Sequence, residues 1–127
     1  MKTKIYYHHT DCGGVVYYAN YLKFLEEART EFLEDKGIFI KELIKNDSAL
    51  VVIRQEIDYK SPAFYGDTIE VKTSLSNISR TKIEFEYRII NQHAKTISTA
   101  KTTMACVNSN LKPKAIPGHI QEILSRI

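Results

Sequence analysis

The chain has 127 residues, 43% of them hydrophobic and 26% charged, with 18 Lys and Arg against 15 Asp and Glu for a net charge of +3. That length fits one domain over residues 1–127, large enough to bury a core without disulfide or metal, and the ordinary apolar and charged fractions exclude a disordered chain. The basic excess is too small and too dispersed to argue for a nucleic-acid partner.

The start, Met1-Lys2-Thr3-Lys4-Ile5-Tyr6-Tyr7, carries no apolar h-region, so no secretory signal is expected. The longest apolar runs, such as Leu50-Val51-Val52-Ile53, fall far short of the roughly 20 residues a membrane span needs. Cys12 and Cys106 form no pairing or zinc-ligand pattern, which points to a reducing, cytoplasmic setting.

Residues 2–7 read as a short strand, followed by the turn-rich His8-His9-Thr10-Asp11-Cys12-Gly13-Gly14. Tyr21, Leu25, Ala28 and Phe32 then recur at i, i+4, i+7 and i+11, one stripe of an amphipathic helix. Leu22 and Phe24 widen the stripe, Lys36 is placed in the last turn, and Gly37 suits a C-cap. A shorter helix is expected around residues 40–44. From residue 50 the period becomes two. Val51, Ile53, Ile57 and Tyr59 alternate with Arg54, Glu56 and Asp58 up to Ser61-Pro62; Ile69, Val71, Thr73 and Leu75 alternate with Glu70, Lys72 and Ser74. Ile83, Phe85, Tyr87 and Ile89 against Lys82, Glu84, Glu86 and Arg88 give the cleanest strand. Residues 95–107 form a Thr-rich fourth late strand. Short connections at Ser79-Arg80 and residues 91–94 favour antiparallel hairpins. Ile116, Ile120, Ile123 and Ile127 mark a terminal helix opened by Pro117.

The order is α+β: one long apolar helix and an antiparallel sheet with one apolar face, buried most economically by wrapping the sheet around the helix. The sheet edges and open flank left over favour a homo-oligomer.

Asp11 stands in Thr10-Asp11-Cys12-Gly13-Gly14, just before the helix. A carboxylate beside a helix N-terminus unites a base or nucleophile with an oxyanion donor; a turn or N-cap residue has the same spacing. His8 and His9 lack partners for a metal site and read as solvated loop residues. Cys12 has no paired base, and the neighbouring carboxylate works against its thiolate. Arg80 and Lys82, flanking Thr81, either hold phosphates or are the charged hairpin of any sheet. Glu26 and Arg29, with Glu27 and Glu31, read as a solvated, salt-bridged helix face.

The stretch Tyr7-His8-His9-Thr10-Asp11-Cys12-Gly13-Gly14-Val15-Val16-Tyr17-Tyr18-Ala19-Asn20-Tyr21-Leu22, continuing to Glu27-Ala28-Arg29-Thr30-Glu31, resembles the 4-hydroxybenzoyl-CoA thioesterase family. Within it the stretch is most similar to the branch of Tol-Pal-associated acyl-CoA thioesterases. Val52-Ile53-Arg54, Tyr59-x-x-Pro62-Ala63, Gly66-Asp67 and Pro113-x-x-Ile116-Pro117 look like later landmarks. The resemblance implies a hotdog fold, a curved five-stranded antiparallel sheet around a long central helix, assembled as a homodimer or homotetramer.

By position it implies that Asp11 is the catalytic carboxylate and that a main-chain N–H near Tyr18 polarises the thioester carbonyl. Gly14 and Val15 then contact substrate, and Arg80, Thr81 and Lys82 face the nucleotide end of coenzyme A. The implied activity is hydrolysis of short-chain or aromatic acyl-CoA with no metal and no cofactor, coenzyme A being part of the substrate. Acyl carrier protein or envelope machinery is a partner by family analogy. Two departures stand out: Tyr18 where the Tol-Pal branch often has His, and His9 where an acidic residue is common. A non-catalytic hotdog protein that binds acyl-CoA or acyl carrier protein is the alternative, against which Asp11 with Gly13 and Gly14 argues.

Overall fold

The computed structural model describes all residues, Met1–Ile127. The strands are β1 (Lys2–Lys4), β2 (Ala49–Tyr59), β3 (Thr68–Ile78), β4 (Lys82–Asn91) and β5 (Thr96–Val107). The helices are α1 (Asn20–Glu34), α2 (Ile40–Lys45) and α3 (Gly118–Ser125). The strands form one antiparallel sheet in the order β1-β3-β4-β5-β2. β3, β4 and β5 are joined by the two predicted hairpins. β2 and β3 are consecutive in sequence but lie on either side of the β4–β5 pair, so residues 60–67 must cross from one side of the sheet to the other.

Alternation in β3 and β4 sends Ile69, Val71, Ile83, Phe85, Tyr87 and Ile89 to the inner face, where they are buried against Tyr21, Phe24, Leu25, Ala28 and Leu33 of α1. The ring of Phe85 meets Phe32 edge-on at 6.0 Å and stacks on Tyr87 at 6.4 Å. The result is the sheet-around-helix arrangement of the hotdog fold. The outer face carries Lys72, Glu84, Glu86, Arg88 and Lys101, with ion pairs between Lys101 and Glu86 at 3.3 Å and, on β2, between Arg54 and Glu56.

Several elements differ from the expectation. β1 stops at Lys4 because Tyr7–His9 turn into a 3-10 helix. In β2 a bulge between Val52 and Arg54 breaks the alternation. Val51 pairs with Ala105 on the outer face, while Leu50, Val52, Ile57 and Tyr59 pair with inner-face positions of β5. Ile53, the extra residue, is 51% exposed. Leu22 of α1 is also exposed. α1 ends two residues before Lys36, whose ammonium lies 4.5 Å from the Phe32 ring centroid. Gly37, at φ 80, terminates the helix, and the Ile38 N–H reaches back to the Leu33 carbonyl at 2.9 Å, as a Schellman closure does. The second helix, predicted around residues 40–44, is α2. In α3 the buried pair is Ile120 and Leu124; Ile127 lies beyond the helix and is exposed. Glu26 and Arg29 form no ion pair; Arg29 is half-buried beside the Tyr87 hydroxyl.

Phe85 is fully buried, so Phe85→Ala is expected to destabilise the fold by about 3–5 kcal/mol, read as a lowered urea midpoint with unchanged slope.

Candidate active site

Residues 10–16 form a tight hairpin. Thr10 and Val16 make an antiparallel bridge, the Asp11 N–H donates to the Val15 carbonyl at 2.9 Å, and the Gly14 N–H donates to the Asp11 carbonyl at 3.1 Å. Gly14 has φ 80, a left-handed conformation that glycine adopts without strain. The Gly13 N–H donates to Asp11 Oδ1 at 2.8 Å, and a Cβ on Gly13 would come 3.2 Å from that oxygen. Asp11 is thus a turn residue and not a helix cap: the N-cap of α1 is Ala19, with no side-chain cap. One carboxylate oxygen is fixed by the turn, and the residue remains exposed.

The returning arm of the hairpin leads directly into α1. The Tyr17 N–H donates to the His9 carbonyl at 2.9 Å and the Val16 N–H to the Ala63 carbonyl at 2.8 Å. The Tyr18 and Ala19 N–H groups donate to no protein acceptor, which leaves two free donors at the positive end of α1. The Tyr17 phenol is raised by the Tyr18 side chain as hydrogen-bond partner and like charge, then by burial, and least by Asp11.

Beside Tyr18 is an open cavity of about 310 Å³ walled by Val15, Val16, Tyr18, Tyr21, Tyr59 and Pro62. The rings of Tyr18 and Tyr59 meet edge-on at 6.4 Å, and those of Tyr21 and Tyr59 are tilted at 5.5 Å. Val15 lines this cavity and Gly14 does not. A cleft of about 400 Å³ between α2 and α3 contains none of the predicted site residues.

Arg80, Thr81 and Lys82 are not brought to Asp11 within one chain. Tyr59 is opposite Ser98 on β5, whereas Lys82 is opposite Ala105. Seven residues along the strand is roughly 23 Å at about 3.3 Å per residue. The Arg80 and Thr81 carbonyls are occupied by the Ile116 and Cys106 N–H groups at 2.9 and 2.8 Å, and the Arg80 and Lys82 side chains are exposed.

His8 is exposed, as expected, but His9 is not a simple solvated residue. Its Nδ1 accepts the Tyr6 N–H at 2.9 Å, its ring packs edge-on to Phe24 at 5.0 Å, and its carbonyl accepts both Tyr17 N–H and, at 2.8 Å, Asn20 Nδ2. Burial, then His8 and Lys23, push its pKa below the ordinary 6.5. No sequence period marks this role, because it comes from main-chain bonds. Cys12 is exposed and Cys106 buried, both as free thiols. No group of three or more His, Cys, Asp or Glu side chains is placed to hold a metal ion. No helix is long and apolar enough to cross a membrane.

Residues 7–124 match the family described as the thioesterase-like superfamily. The chain is 37% identical over 123 residues to acyl-CoA thioesterase YbgC of Haemophilus influenzae, covering 95% of this chain and 90% of the relative. It is 35% identical over 118 residues to acyl-CoA thioester hydrolase YbgC of Escherichia coli O157:H7, covering 92% and 88%. Among solved structures, the DHNA-CoA thioesterase of Staphylococcus aureus superposes with a TM-score of 0.95 at 25% identity, over 99% of this chain and 87% of that one.

The lowered His9 pKa sets a sign for pH dependence. The unfolded imidazole takes up its proton first, so stability is complete above about 6.5 and falls as pH drops toward the lower folded value. The melting temperature is expected to decline from about pH 7 to about pH 5. His9→Asn, which keeps a side-chain acceptor without the imidazole, should flatten the upper part of that decline.

Proposed function

The chain belongs to the thioesterase-like superfamily, and from that premise we propose that it hydrolyses the thioester bond of an acyl-CoA, with Asp11 as the catalytic carboxylate and the Tyr18 N–H as oxyanion donor. Acyl-CoA hydrolysis is the activity named for its relatives in Haemophilus and Escherichia. The observation that supports the residue assignment is the hairpin: Asp11, with one oxygen anchored by the turn, stands on its outgoing arm, and its returning arm runs into α1 through Tyr18, whose N–H has no internal acceptor.

The thioester carbonyl oxygen accepts the Tyr18 N–H, and the acyl group enters the tyrosine-walled cavity. Either a water deprotonated by Asp11 or Asp11 itself attacks the carbonyl carbon. The carbon–sulfur bond then breaks and coenzyme A departs as a thiolate, which takes up a proton. In the nucleophilic version a mixed anhydride forms on Asp11 and water cleaves it. One preorganised donor lowers the barrier by roughly 3–4 kcal/mol. The chemistry calls only on water and the carboxylate; coenzyme A is substrate. The cavity, near the lower end of the roughly 300–1,000 Å³ usual for small-molecule sites, suits a short or single-ring acyl group. This is consistent with the 4-hydroxybenzoyl-CoA and Tol-Pal-type branches the sequence resembles. A cytoplasmic enzyme fits the expected reducing environment of Cys12 and Cys106.

A homodimer completes the site in this proposal. β2 is an edge strand of eleven residues, with Val52 and Ile53 about half exposed, a surface that invites strand pairing. Two-fold pairing of β2 with its copy is antiparallel. It carries the partner's β3–β4 hairpin toward the Asp11 end, so that Arg80, Thr81 and Lys82 reach the nucleotide end of coenzyme A from the other protomer.

Thiol release from acetyl-, hexanoyl- and benzoyl-CoA is expected to fall by about 10²-fold or more in Asp11→Asn, about 2.7 kcal/mol in the barrier; equal rates in both proteins would remove Asp11 from the chemistry. Solvent ¹⁸O appearing in Asp11 after a single turnover identifies the nucleophilic route, with water cleaving the anhydride at the Asp11 carbon, and rules out the general-base route. Light scattering should give twice the 14.6 kDa chain mass; a monomer with full activity overturns the shared site.

A further inference from the structure

Tyr59 closes the edge strand β2, and the link it makes crosses 41 residues of sequence. Its hydroxyl donates to the Tyr18 carbonyl oxygen at 3.2 Å. That carbonyl also accepts the Tyr21 N–H, at a longer 3.4 Å, in the first turn leading into α1. The Tyr18 oxygen therefore has two donors while the Tyr18 N–H has no acceptor. On the other side of that N–H, the Tyr17 N–H is tied to the His9 carbonyl at 2.9 Å. The free donor stands between two anchored backbone groups, one fixed by His9 and the other by Tyr59.

An oxyanion donor helps only insofar as it already points to where charge develops, since a peptide that must reorient loses the advantage. We infer that Tyr59 is a positioning residue for the reaction: the Tyr18 N–H lies in the peptide whose Tyr17 carbonyl accepts the Asn20 N–H at 2.9 Å, and by clasping the Tyr18 carbonyl the Tyr59 hydroxyl fixes the next peptide, so the backbone cannot turn at Tyr18 and its N–H keeps the orientation that meets the thioester oxygen. This rests on the assignment of that N–H in the proposed function. The ring of Tyr59 separately forms one wall of the cavity between Tyr18 and Tyr21, so hydroxyl and ring have distinguishable roles. Burial, with Tyr18 adding to it, pushes the Tyr59 phenol above its ordinary value, so the hydroxyl keeps the proton it donates at neutral pH.

The test is steady-state kinetics of wild type, Tyr59→Phe, Tyr59→Leu and Asp11→Asn on acetyl-, hexanoyl- and benzoyl-CoA, with melting temperatures measured alongside. Tyr59→Phe keeps the wall and loses the clasp. Its kcat is expected to fall about five- to tenfold, by a similar factor on every substrate turned over, with KM within about twofold. Tyr59→Leu should show the same loss in kcat and in addition a raised KM, greatest for benzoyl-CoA. A role confined to stability lowers the melting temperature while leaving kcat of the folded enzyme unchanged. The inference is overturned if Tyr59→Phe retains kcat within about twofold or loses activity through KM alone. Asp11→Asn inactive beside a fully active Tyr59→Phe sinks this inference and leaves the proposed function standing. A wild-type protein inactive on the whole panel sinks both.

Discussion

The carbonyl oxygen of His9 accepts two hydrogen bonds, from the Tyr17 N–H at 2.9 Å and from Asn20 Nδ2 at 2.8 Å, and the geometry of the site depends on that double acceptance. Without it the hairpin 10–16 would be free to swing against α1, because its remaining anchors, at Ala63 and Phe64, lie on the crossing segment. The same residue uses Nδ1 to fix Tyr6 and its ring to rest on Phe24. One residue thus ties the 3-10 turn, the hairpin and the central helix together. The peptide that follows belongs to Thr10 and the next side chain is Asp11, so the carboxylate inherits a position set mostly by main-chain bonds. Such bonds suit the catalytic role proposed for this loop because they keep geometry without occupying the side chains that would do the chemistry.

The second support comes from the topology. With β2 and β3 at separate places in the order β1-β3-β4-β5-β2, residues 60–67 have to cross the end of the sheet. The crossing is stapled by Asp67, whose Oδ2 accepts the Phe64 N–H and whose Oδ1 accepts Gln92 Nε2, both at 2.9 Å. Gly66, at φ 88, makes the turn back toward β3. The Ala63 carbonyl freed by this path accepts the Val16 N–H, and Phe64 bridges Val15. A connection forced by strand order therefore becomes the bed on which the hairpin lies.

What was legible in the sequence follows the distance over which each signal acts. The period of two in β4 and the helical stripe from Tyr21 to Ala28 report burial on one face, and those elements formed where the pattern placed them. Val51 and Ile53 show the limit. Their alternation with Arg54 looked regular, but a bulge is invisible to a residue count and turned both away from the core. Ser and Thr at inner positions also blur the signal: Thr102 is buried because its hydroxyl donates to Gln55 Oε1 at 2.7 Å, a partner 47 residues away. Asp11 could be singled out because Gly13 and Gly14 announce a turn and the resemblance supplies a role. The structural parts played by His9 and Tyr59 could not, since both rest on bonds that no spacing marks: the His9 carbonyl and Nδ1 bind main-chain and side-chain donors, and the Tyr59 hydroxyl reaches a carbonyl 41 residues distant. Arg80 to Lys82 were grouped with the site by resemblance, and only the register of β4 on β5 shows how far off they lie within one chain.

That separation and the exposure of Asp11 have a common resolution. A carboxylate and an amide in open water are screened, and the gain from a preorganised donor depends on excluding solvent. In the single chain the tyrosines at positions 7, 17, 18 and 65 surround the hairpin as exposed rings, more apolar surface than a solvated loop needs. Pairing of the β2 edges in the proposed dimer puts a second copy of the sheet next to Tyr59, and with it a cover for the cavity wall and the rings nearest to it. The same step delivers the basic hairpin that one chain holds roughly 23 Å away. In the proposed dimer, assembly and catalysis are a single requirement: the edge strand that would otherwise be a liability would join two half-sites, each with its own Asp11 and each dependent on the other protomer for its surroundings.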